Sequence, residues 1–291
     1  MTATPQTDDS SLRFLFDDAD IRGEWVGIDA ALSKMAEPHA YSDTVKALLG
    51  EFAAAVVLIS NNLKYTGKIT LQAQTPGALS LVMVECTSDA EIRGIARGDI
   101  AVEAADPFSL MADGQLAITI ERQGGQRYQG IVALDGHNLA EALDGYFLQS
   151  EQLTTRFWLC SDGHRARGMM LQQLPPQRVS AGPERQDQWQ TVEALAATLT
   201  PEELLSVPAS TLLHRLFHEL PYQQFMAQSV IFRCSCSRER SLNALSCLPP
   251  SEIAEMLAEQ PEVTLTCEMC NNHYKFSQDE LNGLAEPPIL H

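Results

Sequence analysis

The sequence predicts an α+β protein: an N-terminal α/β core with antiparallel sheets, a helical linker, and a small C-terminal domain of different character. Three observations carry that expectation. Strand-like runs follow one another instead of alternating strictly with helices, which favours antiparallel pairing. A Pro- and Gln-rich stretch, PPQRVSAGPERQDQ (175–188), then separates these runs from amphipathic helices. Beyond residue 230 lie five of the seven cysteines, with few large apolar residues around them. The boundaries expected are 1–178 for the core, 179–230 for the linker and 231–291 for the C-terminal domain.

Within the core, IRGEWVGID (21–29) reads as extended. Residues 42–63 read as a buried helix with Ser42 or Asp43 as its N-cap. KITLQAQ (68–74), LSLVMVECT (79–87) and EIRGIAR (91–97) read as strands separated by turn residues. LAITIER (116–122) and RYQGIVAL (127–134) flank Gln-Gly-Gly-Gln, a hairpin signal. NLAEALDGYFLQS (138–150) reads as a helix. TTRFWLCSD (154–162) and RARGMMLQQLP (165–175) read as strands around the turn Asp162-Gly163-His164. In the linker, Thr200-Pro201-Glu202-Glu203 combines a Thr cap, Pro at the first helical position and Glu at the third. STLLHRLFHEL (210–220) places Leu212, Leu213, Leu216, Phe217 and Leu220 on one face, and that face must dock on something.

The net charge of −18 opposes a general phosphate-binding surface, since nucleic-acid affinity rests on cationic side chains displacing counterions. It opposes an anionic membrane surface equally. The N-terminus lacks a basic segment followed by an apolar run, and FAAAVVLIS (52–60) is too short to span a bilayer. The expectation is a cytoplasmic protein with no membrane partner. Clustered cysteines there are metal ligands or redox sensors before they are structural disulfides.

Those cysteines are spaced Cys234-x-Cys236, thirty residues, then Cys267-x-x-Cys270. Two close pairs supply two sulfurs each to one tetrahedral ion, and the insert brings the pairs together. Soft ligands select zinc, with an iron–sulfur centre as the rival. The one-residue spacing suits a turn better than a strand, because both sulfurs must reach one ion. Cys247 reads as a packing residue, with a fifth ligand as the alternative; Cys86 and Cys160 read as inert core thiols. His273 is a ligand only if a cysteine is not, and a surface histidine is the plainer reading. Asn271 stands where a left-handed residue is needed. Ser277-Gln-Asp-Glu280 is a capping box that announces a last short helix.

Zinc-bound cysteines are thiolates, the form that oxidants attack. Arg233, Arg238 and Arg240 either favour thiolate at the first pair or are simply solvated. Oxidation to disulfides destroys the ligand set, and a domain of this size has little else to hold it. The residues therefore suggest a switch in which oxidant displaces zinc and apolar surface is exposed.

Here the sequence resembles a known family, the redox-regulated bacterial heat-shock chaperone also called the thirty-three-kilodalton chaperonin, over nearly the whole chain. The resemblance rests on Cys234-x-Cys236…Cys267-x-x-Cys270, His273-Tyr274-x-Phe276, Arg22-Gly23-Glu24 and Gly168-Met169-Met170-Leu171-Gln172. Asn271 replaces the glycine expected after the second pair, and Cys247 is an additional thiol. The likeness implies one zinc ion on the four cysteines in an inactive reduced form. It implies that oxidation joins Cys234 to Cys236 and Cys267 to Cys270, loosens linker and zinc domain, and promotes a homodimer. It implies an active form that holds unfolded client proteins without ATP, in keeping with the lack of a GxxxxGKS-type loop.

Three rival readings fit the cysteine pattern. A zinc-ribbon nucleic-acid binder is opposed by nine acidic against four basic residues in 231–291. A zinc hydrolase is opposed by four thiolates that leave no open coordination position. No catalytic residue is expected, and Asp162-Gly163-His164 is read as a turn. A constitutive zinc-stapled scaffold differs from the chaperone only in a redox experiment.

Overall fold

The computed structural model describes residues 9–63, 65–176, 182–259 and 262–285. The expected boundary at 178/179 lies outside them. By internal contacts the chain divides into two compact units, Met1–Arg233 and Cys234–His291.

In the first unit, alternation of apolar residues builds a sheet with two buried faces. β1 (Ser10–Phe16) is antiparallel to β2 (Ile21–Ile28). Leu12, Phe14, Phe16, Ile21 and Trp25 belong to one core, and Val26 and Ile28 to another, as the two-residue period of a strand requires. Helix α1 (Ala30–Ala36) follows; its first turn is capped from a distance, with the Asp9 carboxylate accepting from the backbone N–H groups of Asp29, Ala30 and Ala31 at 2.7–3.1 Å. Helix α2 (Asp43–Asn61) starts at Ser42, whose Oγ accepts from Val45 N at 3.2 Å.

β3 (Gly67–Gln74), β4 (Leu79–Thr87) and β5 (Glu91–Gly98) then form a meander, which the hairpin β6 (Gln115–Arg122) and β7 (Arg127–Ala133) extends on the β3 side. After helix α3 (Leu139–Tyr146), β8 (Thr155–Ser161) and β9 (Ala166–Gln173) return to the first sheet, with β9 antiparallel to β2. Asp162 Oδ1 accepts from the backbone N–H groups of His164 and Arg165, so the segment between them is the expected turn.

Helix α2 is buried on every side because it lies between the two sheets. Ile69, Leu71, Val82, Val84 and Cys86 of the second sheet share its core with Val26, Ile28 and Met170 of the first. The family-like segments Arg22-Gly23-Glu24 and Gly168–Gln172 prove to be one feature, since β2 and β9 pair Arg22 with Gln172, Gly23 with Leu171 and Glu24 with Met170. Gly23 is required by packing: a Cβ there would sit 2.0 Å from the Phe14 ring.

The other face of the first sheet is covered by α4 (Pro183–Ala196), α5 (Pro201–Ser206) and α6 (Ala209–Phe217). Trp189, Val192, Leu204, Leu212, Leu213 and Phe217 bury themselves against Leu12, Phe14, Phe16, Trp25, Met169 and Leu171. The capping box is complete: Glu203 N donates to Thr200 Oγ1, and Thr200 N to Glu203 Oε2, both at 3.2 Å. The segment expected to be a helical linker is helical only to Phe217. After it, β10 (Tyr222–Gln224) and β11 (Gln228–Ser229) pair with β1, and β12 (Ile231–Phe232) runs parallel to β5. Edges of β1 and β5 supply the unpaired backbone groups, and Tyr222 adds ring contacts to Phe14 and Phe16.

The second unit is a small assembly of α7 (Arg238–Leu245), α8 (Pro250–Glu259), the hairpin β13 (Glu262–Thr266) and β14 (His273–Ser277), and α9 (Gln278–Ala285). Ser277 N and Oγ both donate to Glu280 Oε2, which starts the expected last helix. The buried core here is Leu245, Ile253, Val263, Phe276 and Leu281.

Candidate metal centre

Two unlike pieces of backbone bring the four sulfurs together. Cys234 and Cys236 lie on irregular chain between β12 and α7, so neither a regular strand nor a defined turn holds them. Cys267 and Cys270 lie on the turn between β13 and β14, closed by Asn271 N donating to Cys267 O at 2.8 Å and Cys267 N to Asn272 O at 2.9 Å. Asn271 has φ +58°, the left-handed conformation expected of it.

All four Sγ atoms lie within 4.8 Å of one another and are half-buried. The approaches Cys234–Cys267 and Cys236–Cys270 are 3.7 and 3.4 Å, far outside disulfide length. Sulfurs at ~2.3 Å from a tetrahedral zinc are separated by about 3.8 Å, so the donor set and its spacing fit such an ion. Both close approaches run from one Cys pair to the other, which is what a shared ion demands.

The surroundings distinguish the sulfurs. Desolvation raises the Cys234 and Cys270 thiols above the ordinary range. It also works against thiolate at Cys236, but the Tyr274 hydroxyl, donating at 3.1 Å, and the neighbouring thiols outweigh it and bring that pKa to about 7. The side-chain amide of Asn272 stands 4.0 Å from the same sulfur. Tyr274 follows from the strand period: it shares the inner face of β14 with Phe276, and the alternation of HYKFS was its only sequence signal.

The other candidates fall elsewhere. His273 is exposed and its Nδ1 is 2.8 Å from Thr266 Oγ1, outside the cluster. Cys247 was expected to pack; instead it is exposed at the end of α7 and donates to Asn243 O, because the apolar face of that helix is carried by Leu242 and Leu245. Cys86 is a core thiol, pushed up to about 12 by burial, and the half-buried Cys160 is raised to about 11 by the same cause. The arginines have other engagements. Arg233 pairs with Glu91 at 2.7 Å, Arg238 with Glu280 at 2.7 Å while lying over the Phe276 ring, and Arg240 donates to Ser235.

This geometry can be set beside known proteins. A family model described as Hsp33 protein matches residues 9–277. The chain belongs to the Hsp33 family. Among curated relatives, the 33 kDa chaperonin of Ectopseudomonas mendocina is 51% identical over 279 residues, covering 95% of each chain. That of Pseudomonas syringae pv. tomato is 47% identical over 279 residues, covering 95% of this chain and 93% of its own. The crystal structure of the 33 kDa chaperonin from Thermotoga maritima superposes with a TM-score of 0.83 at 23% identity, over 95% of this chain and 98% of that one, and supports the fold. Family membership and these names make the chain a chaperone of the stress response, and its four-cysteine cluster fits the metal and redox centre expected. Among the described residues no helix is long and apolar enough to cross a membrane.

Proposed function

We propose that this protein is a redox-regulated, ATP-independent holdase of the cytoplasm, inactive while reduced and loaded with one zinc ion on Cys234, Cys236, Cys267 and Cys270. The observation that carries the reading is the four-sulfur cluster in a unit whose buried core has only five described side chains. Zinc, when bound, keeps the four sulfurs as thiolates and staples irregular chain to hairpin turn. Such thiolates are also the groups that peroxide or hypochlorous acid attacks.

Oxidation to Cys234–Cys236 and Cys267–Cys270 disulfides, the pairing implied by the family likeness, leaves no metal or disulfide link between the two halves of the site. The unit then loses a stabilisation on the order of 10–16 kcal/mol, comparable with burying five side chains at about 2 kcal/mol each. The chain runs directly from β12 into Cys234, so unfolding of the second unit leaves the C-terminal end of the helical cover held by the short strands β10, β11 and β12 on β1 and β5. Helices α4–α6 cover Phe14, Phe16, Trp25 and Met169, and their release offers an apolar sheet face and an apolar helix stripe to unfolded clients. A dimer of the oxidised form buries part of the same surface.

The test is light scattering from a thermally unfolding client, with the protein reduced and zinc-loaded and again after hypochlorite or warm peroxide. Suppression by the oxidised sample alone is the expected result. Inactivity in both states, with zinc release verified, overturns the reading and leaves a stapled scaffold.

A further inference from the structure

Helix α6 buries Leu212, Leu213 and Phe217 against the first sheet. Its exposed side carries two histidines, His214 and His218, four residues apart. His218 keeps helical backbone angles, φ −59° and ψ −23°, so this spacing is a true helical turn and puts both imidazoles on one face. Their ring centres are 5.8 Å apart and the rings are inclined at 60°. The Glu219 carboxylate stands 3.9 Å from His218 Nε2. Arg215 is the next residue after His214 but lies about 100° around the helix from it.

Neutral imidazole is the commonest protein ligand for divalent transition metals, and two histidines at this spacing on a helix can share one ion. An ion ~2.1 Å from one nitrogen of each ring lies ~3.2 Å from each ring centre, so two rings at a tetrahedral angle have centres ~5.2 Å apart. The observed separation exceeds that by ~0.6 Å, which rotation of exposed side chains supplies. The position suits a cation for a second reason: the last turn of α6 is the negative end of the helix dipole, where carbonyl groups lack partners within the helix.

We propose that His214 and His218 form a second metal site, separate from the four cysteines, for a divalent ion of the zinc and copper class, and that the ion clamps the last turn of α6. Two imidazoles leave the other coordination positions to water or to the Glu219 carboxylate, so this ion is held more loosely than one on four thiolates. The two rings meet one ion only while residues 214–218 stay helical. An α6 that frays or leaves the sheet separates them, so metal binds the helical form and by linkage stabilises it. The pair needs no change at the cysteines, and the site stands whether or not oxidation releases the helical cover.

The test uses the full-length, reduced protein, first dialysed against zinc and freed of loosely held excess, then titrated with zinc chloride. The ring C–H signals of the histidines are followed by NMR. The expected result is that His214 and His218 shift together and saturate at one added ion per chain. His214→Gln and His218→Gln each lower the affinity about tenfold or more, because the second imidazole no longer binds within the same molecule. Both substitutions are at exposed positions and leave the melting temperature without added zinc unchanged. His137→Gln, at an exposed histidine elsewhere, leaves the titration as in the parent. With zinc at ten times the dissociation constant, amide exchange in the last turn of α6 slows about tenfold in the parent and not in His218→Gln. Loss of binding in only one of the two variants marks a lone surface histidine and overturns the proposal. So do rings that zinc does not move, a titration that neither variant alters, and zinc binding at the pair with no slowing of exchange in α6.

Discussion

Phe217 offers the sharpest test of the idea that docked helices are the latch. It is fully buried at the end of α6, with its ring 5.2 Å from Phe16 and 5.9 Å from Phe14. Phe217→Ala removes a ring whose loss from a core costs about 3–5 kcal/mol, including the aromatic pairs with β1. If undocking of α4–α6 is a local opening, that cost raises the open population by about a hundredfold to several thousandfold, at tenfold per ~1.4 kcal/mol. The central core around α2 does not contain Phe217 and keeps its own packing. The reduced, zinc-loaded variant is therefore expected to suppress client aggregation with no oxidant and no zinc loss. The assay is client light scattering, with zinc measured before and after by a thiol-reactive reagent and a chelator. Hydrogen exchange at α6 reports the undocking itself. A variant that is folded, zinc-loaded and demonstrably loosened at α6, yet inert toward clients, refutes the latch. Should Phe217→Ala not fold, Phe217→Leu gives a smaller effect in the same direction.

Two further outcomes are expected. Glu24 is fully buried, and desolvation pushes its carboxyl to about 8 against the opposing hydrogen bond from Asn61 and the charges of Arg13 and Arg22. A folded pKa above the unfolded value of 4.5 means a contribution fully present below pH 4.5 and lost as pH rises through 8. Glu24→Gln is therefore expected to gain on the order of 4 kcal/mol over the parent at pH 8 and nothing at pH 4 in urea unfolding, and a difference independent of pH contradicts this. Removing metal from the reduced protein with a strong chelator, or replacing Cys270 by Ser, is expected to unfold Cys234–His291 and spare the rest. Amides of β13 and β14 should then exchange fast while those of β3 and β6 stay protected, and protection retained in the hairpin counts against a metal-held unit.

How far the sequence revealed this molecule depended on whether a signal was local. Ser42 and Thr200 cap the helices that follow them by accepting a backbone N–H three residues on, and Glu280 reaches back three residues to Ser277 N; each is legible in a four-residue window. The strand ends at 79–87 and 91–98 are marked by turn residues in the same way. Helix α1 went unseen because its cap, Asp9, comes from some twenty residues earlier and becomes a cap only after β1 has paired with β2. The extended run 222–232 was hidden for a related reason: its partners are the edges of β1 and β5, which no local pattern names. The four clustered cysteines were legible because their spacing alone suggests a shared ion. Tyr274 was not, since a tyrosine in a short alternating strand reads as packing until its hydroxyl is found beside a sulfur.

On the proposed function, the uneven distribution of buried surface lets a chemical change at four sulfurs open one part of the chain and not another. Helix α2 is enclosed by two sheets, and opening that layer exposes most of the largest core cluster at once. Helices α4–α6 cover one sheet face only, so their release leaves the pairing of β1, β2 and β9 intact. The C-terminal unit has the smallest cluster among the described residues, and its four clustered cysteines come from two separated segments that a shared ion would tie together. By buried surface the order of resistance to opening is the small C-terminal unit first, the one-sided helical cover next and the enclosed layer last.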